Sequence, residues 1–262
     1  MELTLDGTRF FAGTGGRAFD PALPTVVLLH GAGMDHTVFA QQTRALAHRG
    51  RNLLAFDLPA HGRSTGPALE SVAAMADWVL AAAARCGAPR IRLAGHSMGA
   101  LVALEAAARG GSRVETLALI GVVPEMRVHP DLLAAARAGR HETVELMTSW
   151  SFGAAGQLGA SRAPGLFLPG AALRLLERAP LPTLAADLAA CDAYRGASDA
   201  AATLGCPTLL LLGGEDRMTP AARGRELAAL IAATRVAVLP RAGHMMMLEE
   251  PVAVLEALQA IL

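Results

Sequence analysis

Lysine is absent from the 262-residue chain: all 23 basic residues are arginine. Without an ε-amino group there is no Schiff-base nucleophile and no lysine for a phosphate-binding loop, so aldolase-like and Walker-type chemistry are excluded. Net charge is absent too, because 23 acidic residues cancel the basic ones. No positive field gathers a polyanion, and nucleic acid is not an expected partner. Cysteine is scarce: Cys86, Cys191 and Cys206 are too scattered for a disulfide framework and form no C-x-x-C pair, which points to a reducing, cytoplasmic setting. Residues 1–7 place acids where an export signal carries basic residues. No uninterrupted apolar window reaches the roughly 18 residues of a membrane span, so no membrane partner is expected. The histidines lack metal-ligand spacing such as H-E-x-x-H, and neither a metal nor a cofactor is expected.

What is present is apolar. Hydrophobic residues make up 53% of the chain and charged residues 18%, enough to bury a large core within one domain that carries an insertion. Short β-branched or Leu-rich runs at residues 9–12, 25–30, 52–57, 91–95, 114–120, 208–213 and 235–239 read as strands. Ala/Leu-rich segments at helical spacing, residues 38–48, 69–86, 98–109, 221–232 and 252–261, lie between most of them or follow the last. This alternation predicts an α/β fold with a mostly parallel sheet covered by helices on both faces. The rhythm breaks between residues 122 and 205, where only helical stretches occur, at 130–137, 141–150, 171–178 and 184–194. We read residues 122–205 as a helical cap inserted into a core of residues 1–121 and 206–262. Its Gly/Pro-rich middle, residues 153–170, is expected to be its most mobile part.

Four local patterns carry chemistry. Gly95-His96-Ser97-Met98-Gly99 lies between a predicted strand and a predicted helix, the setting in which a sharp turn lifts a serine hydroxyl above a sheet. His30-Gly31-Ala32-Gly33 follows another strand, and its small residues let a substrate approach the main chain, so the backbone N–H groups of Ala32 and Met98 are candidate oxyanion donors. His30 also suits a structural hydrogen-bonding role in a tight turn. Asp216 follows the run 208–212 and His244 follows the strand at 235–239. In a parallel sheet both lie on the same rim as Ser97, although Asp216 alone also suits a turn or helix cap. The run Met245-Met246-Met247 reads as core or pocket filler.

Together these motifs resemble the α/β-hydrolase superfamily, in particular its cap-bearing esterases and carbon–carbon bond hydrolases. The resemblance covers roughly residues 25–122 and 206–262, and includes Asp57-Leu58-Pro59-Ala60-His61-Gly62-Arg63-Ser64, similar to the family's D-x-x-G-x-G-x-S loop with Ala60 at a glycine position. It implies the α/β-hydrolase fold and a Ser97–His244–Asp216 triad in the family's chain order. It also implies an oxyanion loop supported by His30, Gly31 and Gly33, and an elbow shaped by Gly95, His96 and Gly99. Serine at the elbow, where related epoxide hydrolases and dehalogenases carry aspartate, implies a small-molecule acyl substrate. Hydrolysis of small to medium carboxylic esters through an acyl-enzyme is the expected activity. Carbon–carbon cleavage of diketone-type substrates, lactonase or thioesterase activity, and a non-catalytic binding role are the alternatives.

Overall fold

A computed structural model describes residues 1–162 and 165–262. Among these, eight strands run in chain order as β1 (Glu2–Leu5), β2 (Thr8–Gly13), β3 (Thr25–Leu29), β4 (Asn52–Phe56), β5 (Ile91–His96), β6 (Val114–Ile120), β7 (Thr208–Gly213) and β8 (Thr234–Leu239). They form one sheet in the order β1-β2-β4-β3-β5-β6-β7-β8. The first two pairings, β1 with β2 and β2 with β4, are antiparallel, and every pairing from β4 to β8 is parallel. Strands β3, β4 and β7 are buried at every position, which is why their sequences are unbroken apolar runs rather than alternating ones. The expected α/β-hydrolase architecture is therefore present, with β1 added at the antiparallel edge.

The helices that flank the sheet are α1 (Ala40–Ala47), α2 (Val72–Arg85) and α3 (Met98–Gly110). Ser71, not Leu69, starts α2, because its hydroxyl accepts the Ala74 N–H and closes the first turn. Between β6 and β7 come α4 (Pro130–Arg137), α5 (Glu142–Trp150), α6 (Ala154–Gln157), α7 (Leu168–Leu176), α8 (Leu181–Ala193) and α9 (Ala197–Thr203), and after β7 come α10 (Ala221–Ala228), α11 (Met246–Glu249) and α12 (Pro251–Gln259). The helical insertion is thus observed between two neighbouring strands, and its last helix, α9, packs back on α3. Of the stretch 153–170, residues 163 and 164 lie outside the described residues, while α6 and the start of α7 fall within the remainder.

Register places the functional loops. Leu29 of β3 pairs with Phe56 of β4 and with Gly95 of β5, and His96 of β5 pairs with Ile120 of β6. Gly213 of β7 pairs with Leu239 of β8. The carboxyl ends of the parallel strands are therefore level, and the segments that follow them share one rim of the sheet. In one of them Ala60 adopts φ 67, a left-handed conformation more readily taken by glycine, so the loop keeps its turn despite the alanine. No helix among the described residues is long and apolar enough to cross a membrane.

Candidate active site

Ser97 alone joins β5 to α3, with φ 55 and ψ −120. Few non-glycine residues occupy that region, and the strain is held by its neighbours. A Cβ at Gly95 would overlap the Gly99 carbonyl oxygen, and one at Gly99 would overlap the carbonyls of Leu29 and His30. Strand, turn and helix are in backbone contact only because both positions are glycine. The Ser97 N–H donates to the Ile120 carbonyl at 2.9 Å, tying the turn to β6.

Asp216 and His244 are brought together from turns after β7 and β8. Nδ1 of His244 lies 2.8 Å from Oδ2 of Asp216, so this nitrogen carries the proton and donates it to the carboxylate. Asp216 Oδ1 accepts the N–H groups of Met218 and Thr219, each at 2.8 Å, and Oδ2 accepts the Thr219 hydroxyl at 2.6 Å. Burial pushes the Asp216 carboxyl up, but the charge and hydrogen bond of His244 and the Thr219 donors outweigh it, and the pKa falls below the usual aspartate value. Nε2 of His244 is buried and has no hydrogen-bond partner among the described residues. It is the ring atom left available for a proton.

His96, the residue before the serine, supports the other side of His244. Its Nε2–H donates to the His244 carbonyl at 3.0 Å, and the two rings lie 4.7 Å apart. Burial first, then the proximity of His244, depresses the His96 pKa to about 3, so the ring is neutral. A neutral neighbour does not oppose a positive charge forming on His244. His30 is neutral for a similar reason, its pKa lowered by burial to about 4. Its Nε2 accepts the Leu58 N–H, and its Nδ1–H donates to the Gly31 carbonyl at 2.9 Å.

The loop after β3 passes beside the serine, since a Cβ at Gly31 would lie 3.3 Å from the Ser97 Cβ. Neither the Ala32 N–H nor the Met98 N–H is engaged in a hydrogen bond among the described residues. Ala32, Ser97 and His244 all line one cavity of about 390 Å³. The insertion supplies its opposite wall, including Met126, Leu132, Met147 and Leu188. Met245, Met246 and Met247 are wholly buried and lie outside that lining.

Asp35, His36 and Asp57 are close enough to share a cation. Their atoms are already committed: Asp57 Oδ1 accepts from the backbone and ring of His36, Asp57 Oδ2 accepts the Arg63 N–H, and Asp35 meets Thr37 and Arg178. We read the group as loop architecture. Five residues that matter to the site have no local signature: Thr219, which caps the acid; Ser151, Glu215 and Glu249, which hold the surrounding loops; and Asp187, which reaches Gly33 from α8.

Residues 26–257 match the model of a family described as the alpha/beta hydrolase family. The chain is 31% identical over 241 residues to the dihydrolipoyllysine-residue acetyltransferase component of the acetoin cleaving system of Pseudomonas putida, an alignment covering 86% of this chain and 59% of that protein. It thus spans somewhat over half of that relative's length. It is also 31% identical over 244 residues to the pimeloyl-[acyl-carrier protein] methyl ester esterase of Chromobacterium violaceum, covering 84% of this chain and 87% of the esterase. Among solved structures, the enol-lactonase of Burkholderia xenovorans LB400 superposes with a TM-score of 0.89 at 24% identity, covering 99% of this chain and 98% of the lactonase. At that identity, the likeness is one of fold.

Proposed function

We propose that the chain, which belongs to the alpha/beta hydrolase family, is a hydrolase that cleaves small to medium carboxylic esters with Ser97 as nucleophile, His244 as base and Asp216 as the orienting acid. The observation that carries this reading is the 2.8 Å bond from His244 to Asp216, with Nε2 of the same ring unpartnered among the described residues and His244 lining the same cavity as Ser97. Asp216 fixes the tautomer, so Nε2 is the basic atom. As an ester carbonyl enters, Nε2 takes the proton of the serine hydroxyl and Oγ forms a bond to the carbonyl carbon. The carbonyl oxygen becomes an oxyanion, received by the N–H groups of Ala32 and Met98. Return of the proton from His244 to the departing alkoxide releases the alcohol and leaves Ser97 acylated. Water, deprotonated by the same nitrogen, then attacks the acyl carbon, and the proton passes back to Oγ as the acid leaves. A lactone, being a cyclic ester, is cleaved by the same steps.

The cavity supports a substrate with an apolar acyl or alcohol part, because Met34, Met126, Met147, Leu132 and Leu188 form much of its wall and its volume is about 390 Å³. On this reading residues 122–205 act as the cap over a core of residues 1–121 and 206–262. The test is Ser97→Ala assayed with p-nitrophenyl esters of several acyl lengths. Loss of turnover in a folded variant is expected, and turnover equal to the parent's overturns the assignment. Labelling of the parent by a fluorophosphonate, absent in the variant, separates an active serine from a binding protein that kept the fold.

A further inference from the structure

Helix α8 sends a carboxylate into the loop beside the serine. Asp187 is wholly buried, and its Oδ2 accepts the Gly33 N–H at 2.8 Å across 154 positions of sequence. The same oxygen lies 2.8 Å from Nε2 of His61, whose Nδ1 lies 2.9 Å from the Pro59 carbonyl. A carbonyl oxygen only accepts, and so does an ionised carboxylate, so the ring is satisfied on both sides when both of its nitrogens carry hydrogen. Burial pulls the His61 pKa down, but the hydrogen bond and charge of Asp187 outweigh it and the net shift is upward. The His61 ring lies 4.7 Å from that of His30, and a Cβ on Gly33 would come within 2.8 Å of Leu184 on α8.

The consequence follows peptide by peptide. The Gly31–Ala32 unit is fixed from its oxygen, which accepts His30 Nδ1–H at 2.9 Å and the Met34 N–H at 3.2 Å. Its N–H, that of Ala32, is held facing the other way because the peptide is planar. The next unit, Ala32–Gly33, is fixed from its N–H by Asp187. Both peptide planes that flank the Ala32 Cα are therefore pinned, one by the core and one by the insertion. Gly33 has φ 65 and no side chain of its own to anchor it, so without Asp187 the second plane is free to turn.

We infer that Asp187 is a positioning residue of the oxyanion loop, holding the Ala32–Gly33 peptide, and with it the path of the loop that presents the Ala32 N–H, through the bond to Gly33 and the pair with His61. This rests on the reading of Ser97 and Ala32 proposed above. A buried ion pair is weak as a source of stability and strong as a specifier of geometry, which suits a tether.

The experiment compares Asp187→Asn and Asp187→Ala with the parent. A single oxygen serves both donors, and an amide oxygen in its place still accepts from both, so asparagine keeps the two bonds but removes the charge that strengthens them, while alanine retains neither. For a p-nitrophenyl ester, kcat should fall about 10- to 100-fold in the alanine variant and less in the asparagine variant, with KM within about threefold, a loss smaller than deletion of an oxyanion donor. Affinity for a trifluoromethyl ketone, which forms an oxyanion on Ser97, should weaken in step with kcat/KM. Amide exchange at residues 31–34 should accelerate in the alanine variant and less in the asparagine variant. Unchanged kcat and unchanged exchange in a folded variant that lacks the acceptor overturn the inference, as does a rise in KM with kcat and ketone affinity intact, which assigns Asp187 to substrate binding. If the alanine variant does not fold, Asp187→Leu, which fills the space but offers no acceptor, decides by the same criteria. A parent that turns over no ester and resists the fluorophosphonate defeats the proposed function instead, while the exchange measurement still reports on the tether.

Discussion

The backbone N–H of His244 donates to the carbonyl oxygen of Ser151 at 2.8 Å, so the end of α5 in the insertion directly holds the loop that carries the proposed base. The Met245 N–H shares that acceptor at 3.0 Å. Two residues further along the insertion, the Gly153 N–H reaches Glu249, and the Ala154 N–H reaches Glu215 beside Asp216. The insertion is therefore fixed at this one corner to the turns that carry Asp216 and His244. Gly153 and Gly243 approach so closely there that a Cβ on Gly243 would overlap the Gly153 nitrogen.

Glu249 closes that corner. One of its carboxylate oxygens accepts the Gly243 N–H at 2.8 Å and the other accepts the Gly153 N–H at 2.9 Å. Removing the carboxylate leaves two backbone donors without their partner, and each such loss costs about 1–3 kcal/mol when the group is buried. Glu249→Ala should therefore lower the unfolding free energy by about 2–4 kcal/mol in urea titrations. It should also reduce kcat, because the loop bearing His244 loosens. Glu249→Gln keeps one acceptor and should fall between. Full stability in the alanine variant would show that the corner is held by packing alone.

Ser97 is a place where activity and stability should separate. Its φ of 55 and ψ of −120 cost a non-glycine residue about 1–3 kcal/mol, a strain that alanine shares and glycine escapes. Glycine gives back part of that gain through its greater freedom when unfolded, about 0.4–1 kcal/mol. Ser97→Gly should thus be more stable than Ser97→Ala by about 1 kcal/mol, with both variants inactive. Equilibrium denaturation of the pair checks it, and a glycine variant weaker than the alanine one argues against backbone strain at the turn.

The buried histidines set the response to acid. Burial holds His30 down to about 4 and His96 to about 3, whereas an unfolded histidine binds its proton near 6.5. Between those values the unfolded chain carries more protons, so stability falls as pH drops below about 6.5 and levels off above it. Other shifted groups modify the profile, His61 and Asp216 among them. The raised pKa of His61 makes its contribution complete below about 6.5 and lost as pH rises through the folded value, and the lowered pKa of Asp216 makes its contribution complete above about 3.9 and lost below it. Urea midpoints measured from about pH 8 to about pH 4 should decline on the acid side, by several kcal/mol in total. His96→Gln, which keeps a donor but cannot ionise, should flatten the decline. A wild-type midpoint that stays level from about pH 7 to about pH 4.5 excludes this account.

How much of this was legible in the sequence depends on whether a feature is local. Strands β3 to β8 were readable because each is a short apolar run in the middle or at the parallel side of the sheet, and α4 was readable to its bounds because Pro130 opens it. Strand β1 was missed: at the antiparallel edge its residues are partly or fully exposed, and four residues leave no apolar run to recognise. Helix α9 was missed since its Ala-rich turn follows Gly196 with no capping side chain. Helix α7 begins at Leu168 rather than Ala171, with Pro169 in its first turn. At the site, Ser97, Asp216 and His244 stand directly after strands, so position alone points to them. Asp187, Glu249 and Ser151 act through contacts with loops far away in sequence or with main-chain atoms, and nothing in their immediate neighbours marks them.

On the proposed function, the cavity wall predicts how esters are ranked. Leu132 on α4 and Met147 on α5 both line, from the insertion, the cavity that Ser97 lines from the core. Replacing Leu132 with tryptophan fills part of the cavity, at a packing cost of about 1–3 kcal/mol. Each methylene that no longer fits forfeits about 1–3 kcal/mol of transition-state binding, so kcat/KM for a p-nitrophenyl octanoate should fall at least about tenfold relative to the acetate. Met147→Ala opens the same wall and should move the preference towards longer or branched acyl groups, which keeps the argument testable if the tryptophan variant is unstable. Equal loss on short and long esters in both variants would mean that the acyl chain lies elsewhere, and the wall formed by α4 and α5 would then be assigned to the alcohol side of the ester.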